Sequence, residues 1–400
     1  MRLNRVIRKR SQETSREIEK TVREILDDVR KNGDAAVRKY SERFDKPFGM
    51  GEEAGPDLIR LLERAKNQIE EFHRRQVSGP WELHGENGSV LGQIVRPLQR
   101  VAVYVPGGKA VYPSTVLMNI VPAKLAGVPE IAIFTPQPNN IVKAAAKVCG
   151  VDKIYQIGGA QAVAAAAYGT ESIPKFNKIV GPGNVYVAAA KKMVYGEVDI
   201  DMVAGPSEVL IIADETANPR YIAADMMSQA EHDEMASSVL VTTSEALIEE
   251  TEKEIEAQIG YLSRKDIIRK SLENYGAAIL AENLDKAMEI SNGIAPEHLE
   301  ILTRNPFELL PKVQNAGSIF LGEHTPEPLG DYMSGTNHVL PTDGTARFYS
   351  PLGVYDFVKY SSYSYYPCEA LAEFRDDVIK FAELEGFDAH ANSVKVRFWE

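Results

Sequence analysis

Residues 101–134, VAVYVPGGKAVYPSTVLMNIVPAKLAGVPEIAIF, contain the pattern that decides the fold of this chain. A short β-branched run, Val101–Val105, is followed by a glycine turn and then by an apolar, helix-like stretch from Ser114 to Ala126. A second β-branched run, Ile131–Thr135, comes next. This spacing predicts two parallel strands that are joined by a crossover helix.

The same alternation continues along most of the chain. Further strand-like runs are Lys153–Ile157, Lys178–Val180, Val209–Ile212, Val239–Thr242, Ala278–Leu280, Leu299–Leu302 and Ser318–Leu321. Helix-like stretches between them are Asn140–Cys149, Gln161–Tyr168, Tyr186–Val194, Ser244–Gly260 and Leu284–Ser291. The rhythm predicts an α/β protein with two Rossmann-like domains whose sheets are mainly parallel.

We divide the chain into three parts. Residues 1–103 and 208–350 are predicted to form a first α/β domain with N-terminal helices, and residues 104–207 a second α/β domain. Residues 351–400 form a C-terminal tail, with a helix from Cys368 to Glu385 and a short strand from Asn392 to Phe398. Such a tail either packs on its own core or reaches across to a partner subunit.

Composition limits the partners of the protein. The chain has 400 residues, 44% of them apolar, so it can bury a large core. Its formal charge of −12, without a basic stripe, argues against a nucleic-acid or anionic-membrane partner. The basic segment Arg2–Arg10 lacks an apolar h-region, and no apolar run reaches membrane-spanning length. Two distant cysteines, Cys149 and Cys368, fit a reducing cytoplasm.

Four glycine-rich turns adjoin the strand-like runs of the first half. They are Val105–Gly108, Ile157–Gln161, Val180–Asn184 and Ala204–Ser207. Glycine lets main-chain N–H groups approach a phosphate at the carboxyl ends of parallel strands, so four such turns favour a dinucleotide or phosphate site. The G-x-G-x-x-G fingerprint and the P-loop lysine are both absent, which weakens an ordinary Rossmann or ATPase interpretation.

Two histidine-containing clusters are candidates for chemistry. Gln229 and His232 are spaced i,i+3, so a helix would place both on one face, as in a two-point metal clamp. A surface helix with an incidental histidine is the competing interpretation. Glu297 and His298 put a carboxylate beside an imidazole, which suits proton transfer near neutral pH.

The remaining histidines divide into two groups. His338 and His390 could be metal ligands, core residues or helix caps, and composition does not separate these roles. His73, His84 and His324 lie in polar surroundings and are predicted to be solvated.

Several longer motifs occur in a characteristic order. They are Tyr104–Gly108 with Tyr112–Ser114, Gly158–Ala162, Ile179–Asn184, Asp201–Glu208, Gln229–Asp233, Ala295–Glu300, Gly330–Tyr332, Gly335–Pro341, and Glu385 with Ala389–His390. On these motifs the chain resembles the histidinol dehydrogenase family from about residue 15 to residue 397. The resemblance implies zinc- and NAD-dependent oxidation of L-histidinol through L-histidinal to L-histidine, the last step of histidine biosynthesis.

The resemblance also implies a set of site residues. The ligands of one Zn²⁺ per subunit would be Gln229, His232, Asp331 and His390. The acid/base pair would be Glu297 and His298, and the NAD contacts, in residues 104–207, would be Tyr104, Gln161 and Asn184. Ser207, His298 and Glu385 would contact the substrate together with the four metal ligands.

Members of this family are homodimers, and the resemblance implies that Glu385 and His390 complete the partner's site through a swapped tail. One alternative is a relative that uses the same scaffold on another small alcohol, such as a sulfonated diol. Glu385 favours histidinol, because a carboxylate attracts a cationic amine and repels a sulfonate. A non-catalytic metal- or nucleotide-binding protein is a further alternative, against which the intact Glu297–His298 pair argues.

Overall fold

A computed structural model describes residues 2–7, 16–45, 53–107 and 112–399. Arg8–Arg10 of the basic segment and Gly108 of the first glycine turn lie outside these ranges. The described residues within 1–76 and 98–357 belong to one compact unit, and those within 77–97 and 358–400 belong to a second.

The helices and strands are numbered along the chain. The helices are α1 Arg16–Phe44, α2 Pro56–Arg74, α3 Pro113–Leu125, α4 Asn140–Val148, α5 Gly159–Tyr168, α6 Val185–Val194, α7 Pro219–Ala230, α8 Glu245–Ile259, α9 Lys265–Tyr275, α10 Leu284–Ile294, α11 Pro306–Leu309, α12 Glu327–Tyr332, α13 Cys368–Leu384 and α14 Asp388–Lys395. The strands are β1 Trp81–His84, β2 Val90–Pro97, β3 Arg100–Tyr104, β4 Glu130–Phe134, β5 Ile154–Tyr155, β6 Lys178–Val180, β7 Asp199–Ile200, β8 Glu208–Ala213, β9 Ser237–Thr242, β10 Ala277–Leu280, β11 His298–Leu302, β12 Ser318–Leu321 and β13 Val358–Tyr365.

The first unit contains two five-stranded sheets of the same topology. Their strand orders are β5-β4-β3-β6-β7 and β10-β9-β8-β11-β12. Every pairing within them is parallel, which confirms the predicted α/β class. In each sheet the strand order reverses beside the first strand, between β3 and β6 and between β8 and β11. Crevices at such switch points, outside the carboxyl ends of the strands, are where open α/β sheets bind ligands.

Helices cover both faces of each sheet. The alanine-rich α5 is buried along nearly its whole length, because its small side chains let α1 pack closely on it. The opposite face of the first sheet packs against α2, α3 and α4. The second sheet lies between α7, α8 and α9 on one face and α10 on the other. Both sheets are therefore buried on two sides, and this explains their nearly unbroken apolar strands.

The division differs from the predicted one in two respects. The prediction joined residues 1–103 to residues 208–350, yet α1 and α2 share cores with the strands of the first sheet. The predicted boundary at residues 103 and 104 falls within β3, at the centre of that sheet. The segment 77–97 belongs instead with residues 358–399. Main-chain pairing between β2 and β13 is what joins these two distant segments.

The second unit is an antiparallel sheet, β1-β2-β13, with α13 and α14. The predicted strand from Asn392 to Phe398 is wrong, because these residues form the end of α14 and a 3-10 helix, Val396–Phe398. Ala391 is buried on α14, which packs against α13. Among the described helices, none combines the length and the apolar character needed to cross a membrane.

Candidate active site

Glu297 and His298 lie where β11 begins, at the amino edge of the second sheet. The neighbouring strand β8 holds both side chains through the main chain of one residue. The N–H of Glu208 donates to Oε2 of Glu297 at 2.9 Å, and the carbonyl oxygen of Glu208 lies 3.0 Å from Nδ1 of His298. Both side chains are buried, at 6% and 5% exposure. Parallel strand pairing therefore orients the predicted acid/base pair.

The protonation of the pair follows from its burial. Burial lowers the pKa of His298 to about 4, so the imidazole is neutral near pH 7. Because Nδ1 faces a carbonyl oxygen, Nδ1 carries the proton and the lone pair is on Nε2. Burial also raises the pKa of Glu297 well above its ordinary value. The site thus presents a neutral imidazole beside a carboxyl group that, once ionised, is a stronger base than an exposed carboxylate.

Two acidic residues on α12 face this pair. Nε2 of His298 lies 3.7 Å from Oε1 of Glu327, and the ligand atoms of His298, Glu327 and Asp331 all lie within 4.8 Å of one another. Nδ1 of His338 lies 3.8 Å from Oδ1 of Asp331. The sequence analysis missed Glu327. Its i,i+4 spacing to Asp331, which places both carboxylates on one helix face, is the pattern that could have identified it.

Gln229 lies in the last turn of α7 and is 1% exposed. Its amide oxygen and nitrogen have no hydrogen-bond partner among the described residues. An unpaired buried amide is costly, so this side chain is suited to a ligand that the protein itself does not supply. An amide oxygen, together with imidazole and carboxylate groups, belongs to the N and O donors that Zn²⁺ accepts.

The sequence predicted that Gln229 and His232 share a helix face. They do not, because α7 ends at Ala230. The two residues stay adjacent through a turn in which the N–H of His232 donates to the carbonyl oxygen of Gln229 at 3.2 Å. His232 is exposed, and a positive charge on its ring would add to the effect of burial in lowering the pKa values of His298 and His338. The structure therefore brings His232 near the other candidates by a route different from the predicted one.

Buried carboxyl groups lie behind the site. Oε1 of Glu300, on β11, accepts from the N–H of Glu327 at 2.9 Å, and the hydroxyl of Ser228 donates to Oε2 of Glu327 at 3.3 Å. Burial raises the pKa of Asp225, which faces Glu300 from α7, to about 6. It also raises the pKa of Glu327 to about 8. These contacts join α7, which carries Gln229, to α12, which carries Asp331.

The predicted cofactor residues lie at the carboxyl edge of the first sheet. Tyr104 ends β3, and its hydroxyl accepts from the N–H of Gly159 at 3.0 Å. Gln161, in the first turn of α5, is buried, and its Nε2 lies 3.4 Å from Oδ1 of Asp45. Asn184 is exposed and caps α6 by accepting from the N–H groups of Tyr186 and Val187. Asp45 is a further residue here that the sequence analysis did not identify.

The other predicted site residues are distributed over both units. Ser207 immediately precedes β8, beside Glu208. Glu385 and His390 belong to the second unit, where Glu385 follows α13, His390 lies on α14, and both are exposed.

His73, which was predicted to be solvated, is completely buried. Its Nδ1 lies 2.8 Å from the carbonyl oxygen of Ile69, one helical turn earlier on α2, so the ring forms part of the core. His84 and His324 are exposed, as predicted.

Comparison with known proteins gives matches over nearly the whole chain. A family model described as "Histidinol dehydrogenase" matches residues 8–398. A histidinol dehydrogenase of Lactococcus lactis is 58% identical, with 98% of this chain and 95% of that protein covered. One from Clostridium acetobutylicum is 55% identical at the same coverage of both chains, 98% and 95%. The crystal structure of histidinol dehydrogenase from Elizabethkingia anophelis is similar, with a TM-score of 0.89, 36% identity, and 98% and 94% coverage.

Proposed function

This chain belongs to the histidinol dehydrogenase family, and we propose how its residues carry out the reaction of that family. The protein is an NAD-dependent oxidoreductase that converts L-histidinol through L-histidinal to L-histidine, the last step of histidine biosynthesis. The overall change removes two hydrides and adds the oxygen of one water molecule.

His298 is the general base. Its Nε2 lone pair accepts the proton of the substrate hydroxyl as the carbon loses hydride, and NAD supplies the hydride-accepting chemistry. The low pKa of the buried imidazole keeps this base unprotonated in the resting site. Glu297 activates the water that adds to the aldehyde before the second oxidation. Its raised pKa makes the ionised carboxylate a stronger base than an exposed one.

Gln229, His232 and Asp331 would hold one Zn²⁺ per subunit, together with His390 of a neighbouring subunit. The unpaired, buried amide of Gln229 supports this assignment. When bound, Zn²⁺ supplies a Lewis-acidic centre that orients the amino alcohol. Ser207, His298 and Glu385 would contact the substrate with these ligands, and the carboxylate of Glu385 suits its ammonium group.

Tyr104, Gln161 and Asn184 would contact NAD. All three follow or end strands of the first sheet, at the edge where the amino-terminal ends of α5 and α6 lie. Main-chain N–H groups at helix N-termini attract the pyrophosphate of a dinucleotide. The fingerprint of ordinary Rossmann domains is not required for this attraction, since the dipole depends on the backbone alone.

We infer a homodimer from the surface of α13. Four of its exposed apolar side chains fall at helical spacing and form one stripe: Phe374, Val378, Phe381 and Leu384. A stripe of this kind is stabilised when a second surface covers it. The stripe belongs to the same tail as Glu385 and His390. If a second copy covers the stripe, these two residues come close to that second copy. The net charge of −12 argues against a nucleic-acid partner. The two free cysteines, Cys149 and Cys368, support a cytoplasmic enzyme.

The single observation that carries the proposal is the pair of contacts from Glu208 to Glu297 and His298. Purified protein with Zn²⁺, NAD and L-histidinol should form two NADH per substrate at alkaline pH. One NADH per substrate would indicate an ordinary alcohol dehydrogenase. Turnover of a sulfonated diol, with none of histidinol, would assign the chain to a relative with another substrate.

A further inference from the structure

Lys191 and Asp201 form an ion pair inside the first sheet's domain. Their side chains are 4% and 2% exposed, and the ammonium group directly contacts Oδ1 of Asp201. A buried pair of this kind is expensive to desolvate and is often replaced by apolar residues without loss of stability. Its presence is therefore better explained by the groups that it holds than by the stability that it adds.

Both members of the pair hold the same glycine. Nζ of Lys191 donates to the carbonyl oxygen of Gly181 at 2.9 Å, and the N–H of Gly181 donates to Oδ2 of Asp201 at 2.7 Å. Oδ1 of Asp201, which contacts Lys191, also accepts from the N–H of Met202 at 2.6 Å. The two charges thus fix both polar groups of one peptide residue in the turn after β6.

Gly181 is also fixed by its surroundings. Its φ is +106°, and a Cβ atom at this position would lie 2.1 Å from the carbonyl oxygen of Tyr104. The turn therefore lies directly against the main chain of Tyr104. Three residues later Asn184 caps α6, and Lys191 projects from the same helix back to the turn. We call these contacts of Lys191 and Asp201 with Gly181 the Gly181 clamp. The clamp connects Tyr104 and Asn184, two of the three residues that are assigned to NAD.

On the basis of the proposed function, we propose that Lys191 and Asp201 are positioning residues for NAD, which set the Gly181–Asn184 turn against Tyr104. Neither side chain contacts the cofactor in this role. Loss of the clamp frees the Gly181 carbonyl and N–H, so the turn samples other conformations and the bound one is less populated. A lower population of the competent conformation weakens the apparent affinity for NAD.

The chain offers a matched control on the adjoining strand. Lys178 is 4% exposed, and its Nζ lies 2.8 Å from Oδ2 of Asp199 and 3.8 Å from Oδ1 of Asp356. This pair is also a lysine–aspartate pair of the first sheet, but Lys178 does not bind Gly181 in the described structure. Lys178→Met removes a buried cation of equal size and leaves the clamp in place.

The test compares Lys191→Met, the double variant Lys191→Met/Asp201→Asn, and Lys178→Met in the Zn²⁺-loaded protein. KM for NAD, KM for L-histidinol and the free energy of unfolding in urea are measured for each. Lys191→Met should raise KM for NAD about tenfold and leave KM for histidinol within about twofold. The double variant should regain stability, since no unpaired charge is left, and yet keep the raised KM for NAD. Lys178→Met should keep the unaltered KM.

A KM for NAD that returns to the unaltered value in the double variant would overturn the proposal, and so would an equal rise in Lys178→Met. Failure of both Lys191 variants to fold would overturn it too, because the pair would then be needed for folding itself. If the unaltered protein oxidises no histidinol, the proposed function fails instead. Fluorescence titration with NADH then still decides whether the clamp controls dinucleotide binding.

Discussion

The carbonyl oxygen of Glu208 lies 3.0 Å from Nδ1 of His298, and this contact determines which ring nitrogen is available as a base. Because the carbonyl can only accept, the ring places its proton on Nδ1 and its lone pair on Nε2. The contact belongs to two paired strands, β8 and β11, so it does not depend on a mobile loop. Replacement of the side chain of Glu208 would leave it in place.

His298→Asn should slow the first oxidation strongly and retain the metal. Removal of a general base costs about 10²–10⁴ in rate, while the four proposed Zn²⁺ ligands are unchanged. NADH formation from L-histidinol and the zinc content by atomic absorption measure the two effects. An active His298→Asn enzyme would remove His298 from its role.

Glu297→Gln should act mainly on the second half of the reaction. The amide oxygen still accepts from the N–H of Glu208, so the local structure is retained. Oxidation of supplied L-histidinal should slow about 100-fold, with a smaller effect on the first hydride transfer. Full activity of Glu297→Gln on the aldehyde would show that another group activates the water.

The zinc-free protein should lose stability on acidification through His298. Its folded pKa of about 4 lies below the ordinary value of 6.5, so the unfolded chain takes up a proton that the folded chain refuses. The free energy of unfolding is unaffected by His298 above pH 6.5. It decreases as the pH falls from 6.5 toward 4, by up to about 3 kcal/mol. Glu297 acts in the opposite direction, since its raised pKa costs stability as the pH rises above 4.5.

Urea unfolding at pH 7 and pH 5 isolates the histidine effect when His298→Asn is compared with the unaltered zinc-free protein. The variant should lose less stability between the two values. An equal loss in both proteins would mean that the imidazole is protonated in the folded state.

Glu300 should control metal affinity without contacting the metal. Glu300→Gln keeps an oxygen that can accept from the N–H of Glu327, whereas Glu300→Leu removes it and releases the start of α12, which carries Asp331. Zn²⁺ affinity should fall about tenfold or more in Glu300→Leu, and Glu300→Gln serves as the matched control. Competition with a chromophoric chelator measures it. Equal affinity in the two variants would contradict this role.

Shared sites can be tested by mixing two inactive proteins. Gln229→Ala and His390→Ala should each lack activity, because each removes one proposed ligand. Unfolding and refolding an equal mixture should restore about a quarter of the sites, since half the dimers are mixed and each has one complete site. No recovery, with mixed dimers verified by mass spectrometry, would place Gln229 and His390 in the same subunit's site or outside it.

The sequence predicts the two parallel sheets well, but it does not predict how individual side chains and the C-terminal segment pack. Strand-like runs such as Val101–Val105 are β-branched and bounded by turns, so both parallel sheets could be predicted. The strand prediction for residues 392–398 was wrong because so short an alternation of apolar and polar residues fits both a strand and a helix. In the structure Ala391 is buried on α14, which stabilises the helix. His73 was misplaced because its sequence neighbours are polar, although its own position on α2 faces the core.

The candidate site depended on the resemblance for its assembly. Spacing singled out Gln229 with His232 and Glu297 with His298 as candidates, but it could not join them to Asp331 or His390. Glu300, Asp225 and Glu327 were missed because they meet only when β11, α7 and α12 pack together. No local pattern encodes such contacts between distant segments.

The two sheets offer opposite edges for binding, and this gives the two regions opposite electrostatic character. At the first, α5 and α6 begin, and their N-termini present partial positive charge that suits a pyrophosphate. At the amino edge of the second sheet, α7 ends beside Gln229 and α10 ends just before Glu297. The C-termini of these helices place partial negative charge near Glu297 and His298. We expect the first edge to favour an anionic cofactor and the second to favour positively charged groups, such as a metal ion or an ammonium group.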